Sequence, residues 1–407
     1  MFEQIVIRRP DPESVIDAGT LAETLLFYGN IHILLDSSSL TALVRKIGAD
    51  NLIHLFAQKH ATATFMLDSL ATFTNTPVFG LPEHGFTAIR LAAHVGGKPY
   101  KRKDGVYEAF ARAMNDARFA KIKASQALKY IKFSEYRPPH QTANNVKTLS
   151  EQALDDLADT DYLHFAVEET IRQSVPGYQL PRGWFVRAII GNGNFKLETN
   201  INFEELNRAY HQFVPPEQNS ITPAWLVGQI HEARADLVVA SDYMSEIVTD
   251  PIHSALIRKK FAQFLTRREK SLAGMESFQD LQLGSTTAIR ETINSGERSF
   301  DEFLKVLDKA ARFKDWLRNV NPDAKLLEEY FKAATNNTWA EKLPTKVTRF
   351  AFCTLAGVAL EALLASGVGY AAGVGLGAVD AMWSDKVLKG WRPSQFINGP
   401  VKSFIDK

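Results

Sequence analysis

One cysteine, Cys353, stands among 407 residues. An intrachain disulfide is therefore excluded, and so is a zinc cluster built on thiolates. Charge of either sign is in short supply as an excess: Lys plus Arg number 47 and Asp plus Glu 46, a formal net charge of +1. The whole chain then has no bulk attraction for nucleic acid or anionic lipid, and any such attraction has to be local. The start, MFEQIVIRRPDPES, lacks the apolar core of a signal peptide, so cytoplasmic synthesis and residence are expected. Ten histidines are scattered, and none has the two-His-plus-Glu spacing of a zinc protease; His54 and His60 make only a weak pair. Neither a Walker loop nor a nucleophile elbow occurs, and no repeat of fixed period. Gly373-Val374-Gly375 falls short of the dinucleotide fingerprint and follows no strand of the required kind. No catalytic residue, metal or cofactor is expected. The sequence names no reaction.

What is present is a long apolar run. Phe350 to Val379, between Arg349 and Asp380, contains a single charge, Glu361. About 20 apolar residues cross a bilayer as a helix, so the run is long enough for one crossing and too short for two. Gly357, Gly367, Gly369, Gly373, Gly375 and Gly377 would each penalise an exposed helix by roughly 1 kcal/mol. Gly369, Gly373 and Gly377, spaced by four, line one helix face and let a second helix come close. Lys346 and Arg349 before the run, and Trp383, Lys386, Lys389, Trp391 and Arg392 after it, suit a headgroup region.

The run has three readings: one transmembrane helix, a helical hairpin bent near Ala365-Ser366-Gly367, or a core hairpin that never meets lipid. In composition and length it is similar to the hydrophobic hairpin of pore-forming colicins, without a colicin motif. Glu361 in lipid costs about 2.5–3.5 kcal/mol unless protonated or paired, so it marks a polar lining, an assembly contact or a solvated helix face.

A second feature is the basic stretch from Lys98 to Lys132. Its candidate phosphate or anionic-surface contacts are Lys101, Arg102, Lys103, Arg118, Lys121 and Lys123, with Tyr100, Tyr107, Phe119 and Tyr130 interleaved. Lysines neutralise phosphates and aromatics stack on bases, so a nucleic-acid groove and an anionic-lipid patch both fit, beside a plain solvated helix face. Asp155, Asp156, Asp159 and Asp161 suit a helix start, with calcium second.

Hydrophobic residues at 45% and charged residues at 23% make the chain globular rather than disordered. The expected class is α+β. A mixed domain covers 1–203, a helical domain 204–345, and the glycine-rich element with its basic, aromatic tail 346–407. Leu25 to Leu35, split by Gly29-Asn30, reads as two strand-like pieces. Ser37 to Ser39 offer caps for a helix that ends at Gly48, and Thr62 to Phe79 reads as strand. Trp184–Ile190 and Phe195–Phe203 flank a Gly191–Asn194 turn, with one face of the second strand wet. Thr222-Pro223 opens a helix, and Ser299 with Glu302 caps another over Ser299 to Arg318.

The leading expectation is a cytoplasmic bacterial protein that acts at the inner membrane through its C-terminal run. A regulated membrane-disrupting effector of the kind used against phage would have this architecture. Two alternatives stand beside it: a nucleic-acid-binding or nuclease component using the stretch 98–132, and a homo-oligomeric scaffold joined through glycine-faced helices or to another protein partner.

Overall fold

Ile5, Val6 and Ile7 have no exposed surface. A strand covered on both faces reads as such an unbroken apolar run. It is β1 (Gln4–Arg8) of the computed structural model, which describes residues 2–8, 17–90, 94–95, 98–99, 101–135, 148–216, 220–283, 289–320, 326–335 and 391–406. The fold is α+β with a mainly helical middle. Helix α1 (Ala18–Phe27) begins where the Asp17 carboxylate accepts the Thr20 amide. Here one expectation is corrected, because Leu25 to Phe27 close this helix instead of forming a strand. Leu21, Ala22, Leu25, Leu26 and Phe27 are all buried, so α1 is apolar on nearly every side and shows no 3.6-residue period.

The second piece is a strand, β2 (Asn30–Leu35). Helix α2 (Ser37–Ile47) is capped by Asp36, which accepts the Ser39 amide while Ser39 Oγ accepts the Asp36 amide. It stops at Gly48, whose φ of 87° is a backbone that glycine takes freely. Helix α3 (Ala49–Ala57), strand β3 (Thr62–Met66) and the hairpin of β4 (Asp68–Asn75) and β5 (Glu83–Arg90) follow. Next come the two-residue strands β6 (His94–Val95) and β7 (Lys98–Pro99), then α4 (Asp104–Ala113), α5 (Ala117–Ala127) and β8 (Ile131–Ser134). Helices α6 (Leu149–Ala158) and α7 (Thr160–Ser174) lead to β9 (Val186–Gly191) and β10 (Asn194–Thr199). The expected hairpin is there, and its turn is Asn192-Gly193 at φ 51° and 78°. After α8 (Phe203–Tyr210), Thr222 caps α9 (Pro223–Asp242), and β11 (Glu246–Val248) completes the strands.

Three sheets result, the smallest being the pair β6-β7. β1 runs parallel to β11, β2 to β3, and β3 to β8, in the order β11-β1-β2-β3-β8. The chain walks outward from β1 to β8, then returns to lay β11 on the other side of β1. The second sheet, β4-β5-β10-β9, is antiparallel. Phe86, Val186, Phe195 and Leu197 pack against Leu157, Leu163, Val167, Val227 and Ile230 of α6, α7 and α9. Lys196 and Glu198 take the opposite face of β10, which is the wet one expected.

Two compact units divide the chain: Ile5–Val15 with His32–Arg268, and Met1–Gln4 with Ile16–Ile31 and Glu269–Lys407. All three sheets belong chiefly to the first. To the second belong α1 and the C-terminal part of α10 (Pro251–Leu283), with α11 (Ile289–Asn294), α12 (Phe300–Leu307), α13 (Ala311–Arg318) and α14 (Leu326–Thr335). Ser299 and Glu302 do form the capping box, but the helix they start ends at Leu307, and α13 begins anew after Ala310. Phe27, Phe278, Phe313 and Tyr330 meet edge to face at 5.3–6.2 Å. A helical run over 393–405, with a π turn at Ile397–Val401, closes this unit.

Candidate functional site

In an open parallel sheet, sites form outside the carboxyl ends of the strands where strand order reverses. Here that point lies between β1 and β11, and Arg8 ends β1 there. Its guanidinium donates to the Glu232 carboxylate at 2.5 Å, to the Glu232 carbonyl at 3.1 Å, and to the Asp236 carboxylate. Asp236 also accepts from Thr249 Oγ1, just past β11, and its Oδ2 is 3.1 Å from His253 Nδ1. His253 Nε2 is 3.0 Å from Gln229 Oε1. Glu232 and Asp236 are one turn apart on α9, so a single helix face presents both carboxylates to Arg8.

Burial would raise the pKa of Asp236, but Arg8 first, then His253 and Thr249, outweigh it and hold the carboxyl below its ordinary value. Arg8, Asp236 and His253 are at most 3% exposed. The adjoining cleft, lined by Arg8, Asp36, Ser39, Asp68 and Ser69, has room for about one water molecule. This largely buried network ties β1, α9 and the start of α10 together. Sequence reading missed all of it. The available signal was Glu232 and Asp236 standing one turn apart on α9.

A second buried charge sits on the other side of α9. Asp156, expected at a helix start, is 2% exposed and takes two hydrogen bonds from Arg234 and one from Lys260 at 2.5 Å. Asp159 is the residue that caps a helix, accepting the Tyr162 amide. His54 and His60 stand with ring centres 6.2 Å apart.

The basic stretch forms an antiparallel helix pair, since Tyr107 Oη at the start of α4 is 3.2 Å from Ser125 Oγ near the end of α5. Lys101, Arg102 and Lys103 are exposed ahead of α4, and Arg118 and Lys121 are exposed on α5. The first three and Arg118 lie at opposite ends of the pair, about 15 Å apart by the length of a ten-residue helix. Among the described residues, two of the six are in ion pairs. Lys123 pairs with Asp50, and Arg102 is 3.7 Å from Glu135. The six cations do not converge on one point.

Gly357, Glu361, Gly367, Gly369, Gly373, Gly377 and Trp383 lie outside the described residues. Among the described residues, no helix is long and apolar enough to cross a membrane. The nearest described residues before and after the run, Thr335 and Trp391, belong to the same unit. α14 and α13 pack on the turn Pro393–Phe396, with the Phe396 ring stacked on Phe313 at 5.1 Å. Phe404 meets Phe303 at 6.2 Å, and its carbonyl accepts from Arg298 Nε. Comparison of the chain with protein families, with curated proteins and with solved structures finds no match.

Proposed function

We propose that this protein acts at a membrane through Phe350–Val379, as a regulated membrane-disrupting effector. The observation that carries the reading is the thirty-residue run with Glu361 as its only charge. The docked tail favours one form of it. A single crossing would deliver Trp391 to the far side of the bilayer from Thr335, away from Phe313. An excursion that leaves and returns on one side keeps Phe396 and Phe404 in their seats. The bent form has arms of about 15 and 12 residues, each too short to cross alone, so it enters one leaflet or assembles with other copies. Gly369, Gly373 and Gly377 give such copies a surface for close approach.

The test is leakage of dye from vesicles beside a thermal melt. Gly373→Leu adds a side chain to the contact face and is expected to abolish leakage with the melt unchanged, while Val374→Leu is mild. If the run is instead a core hairpin, Gly373→Leu overpacks it and costs about 1–3 kcal/mol of global stability. A lowered melt, with no leakage from the parent, would refute the membrane reading. Cutting the chain at Thr345 is a poorer test, because it also strips Phe396 and Phe404 from Phe313 and Phe303.

A further inference from the structure

Helix α5 carries Arg118, Phe119, Lys121, Ile122 and Lys123, with no acidic residue between Ala117 and Ala127. Ala120, Ala124 and Ala127 are buried. At roughly 100° per residue the three alanines share one side of the helix. Around the other side the order is Lys121, Ser125, Arg118, Ile122, Gln126 and Phe119. Ile122 is 47% exposed and Phe119 44%. Free cations border this apolar pair on one edge, and a cation neutralised by Asp50 borders it on the other. Arg118 and Lys121 stand on one, and neither has an ion-pair partner among the described residues. Lys123 stands on the other, its ammonium 4.8 Å from the centre of the Phe119 ring.

We propose that this face of α5 docks the protein on an anionic lipid surface. Ile122 and Phe119 enter the boundary between head groups and acyl chains, and Arg118 and Lys121 meet the lipid phosphates. The charge of Arg118 and Lys121 is complementary to lipid phosphate, and the exposed apolar pair lies beside them on the same helix face. Single-stranded nucleic acid fits this face less well. Ile122 has no flat surface to stack on a base, and Lys123 already covers the Phe119 ring. The proposal rests on the membrane reading above but uses other residues, so the two can fail separately.

The test is co-sedimentation of the full chain with vesicles of phosphatidylcholine alone or mixed with phosphatidylglycerol. Partitioning is expected to rise with the phosphatidylglycerol fraction and to fall with salt. At roughly five-fold per cation removed, Arg118→Glu with Lys121→Glu should weaken it about 25-fold or more. Phe119→Ser with Ile122→Ser should weaken it on both kinds of vesicle. All four side chains are exposed, so melting temperatures should match the parent's and a folding defect would be visible. Variants that partition like the parent overturn the proposal. So does a parent indifferent to phosphatidylglycerol, or a charge reversal that abolishes oligonucleotide binding and spares vesicle binding. Gly373→Leu separates the two ideas, since a variant that still partitions but no longer leaks leaves α5 as the docking face. A parent that partitions in this way yet never leaks supports docking and removes the disrupting role.

Discussion

Arg8 and Asp236 are both shut away from water, where either charge alone would be strongly destabilising. Each is stable because the other is present, with Glu232 sharing the guanidinium and Thr249 and His253 filling the remaining carboxylate positions. Removing the guanidinium leaves two buried carboxylates without their cation. Arg8→Met is expected to lower stability by about 3–5 kcal/mol, read by denaturant titration. Adding Glu232→Leu and Asp236→Leu to Arg8→Met should recover part of that loss, because both carboxylates are then gone with their partner. A single variant as stable as the parent would mean that water reaches the site.

Among the elements, the hairpin β9–β10 shows how two residues fix a register. Asn192 and Gly193 carry the positive φ angles of a two-residue turn, whereas Gly191 is the last residue of β9 and has no such angle. Gly191 and Gly193 are both glycine, yet only one is needed as glycine. Gly193→Val should cost about 1–2 kcal/mol for a β-branched residue forced to φ near 78°. Gly191→Val should be mild, since nothing lies within 4 Å of an added Cβ there. Thermal melts of the two variants compare them directly, and equal losses would place the turn elsewhere. α5 makes the same point about faces: its alanines go inward because they are small, which leaves its larger apolar and basic side chains outward.

For the whole molecule, two buried histidines and Asp236 make the fold acid-labile, against the smaller opposite contribution of Glu23, whose carboxyl is pushed up by burial. His231 is buried with its Nε2 unpartnered and its ring on Phe86, and burial holds its pKa near 4. His32 is likewise held at about 4, by burial first and then by Lys132. Unfolded histidine titrates near 6.5, so between about pH 6.5 and 4 unfolding takes up protons. The stability that these neutral rings contribute is present above about pH 6.5 and is lost as pH falls toward 4. For His231 the loss is on the order of 3 kcal/mol. Asp236 has the same sign over a lower window, holding its contribution above about pH 4 and losing it below. Melting temperature is therefore expected to drop from pH 6.5 to 4, and His231→Leu should flatten that slope. A parent melt unchanged down to pH 4.5 would contradict the account.

The local features were legible in the residues that form them. Thr222-Pro223 starts α9, Gly48 stops α2, Ser299 with Glu302 starts α12, and the glycine and asparagine between β9 and β10 turn the chain. Each of these depends on a residue's own φ, its side-chain donors or its neighbours within one turn, so it is written where it acts. The apolar run at 350–379 was legible for the same reason, as composition. Only the tertiary structure decided that β11 lies beside β1, and that Arg8 meets Glu232 and Asp236 from 224 and 228 positions away. It also decided that Lys123 is spent on Asp50 while Arg118 and Lys121 face outward. A strand of three to six residues can pair in many ways, and a charge keeps no record of which distant partner will neutralise it. Burial makes that choice, because only the arrangement that pairs every enclosed charge escapes the cost of desolvation.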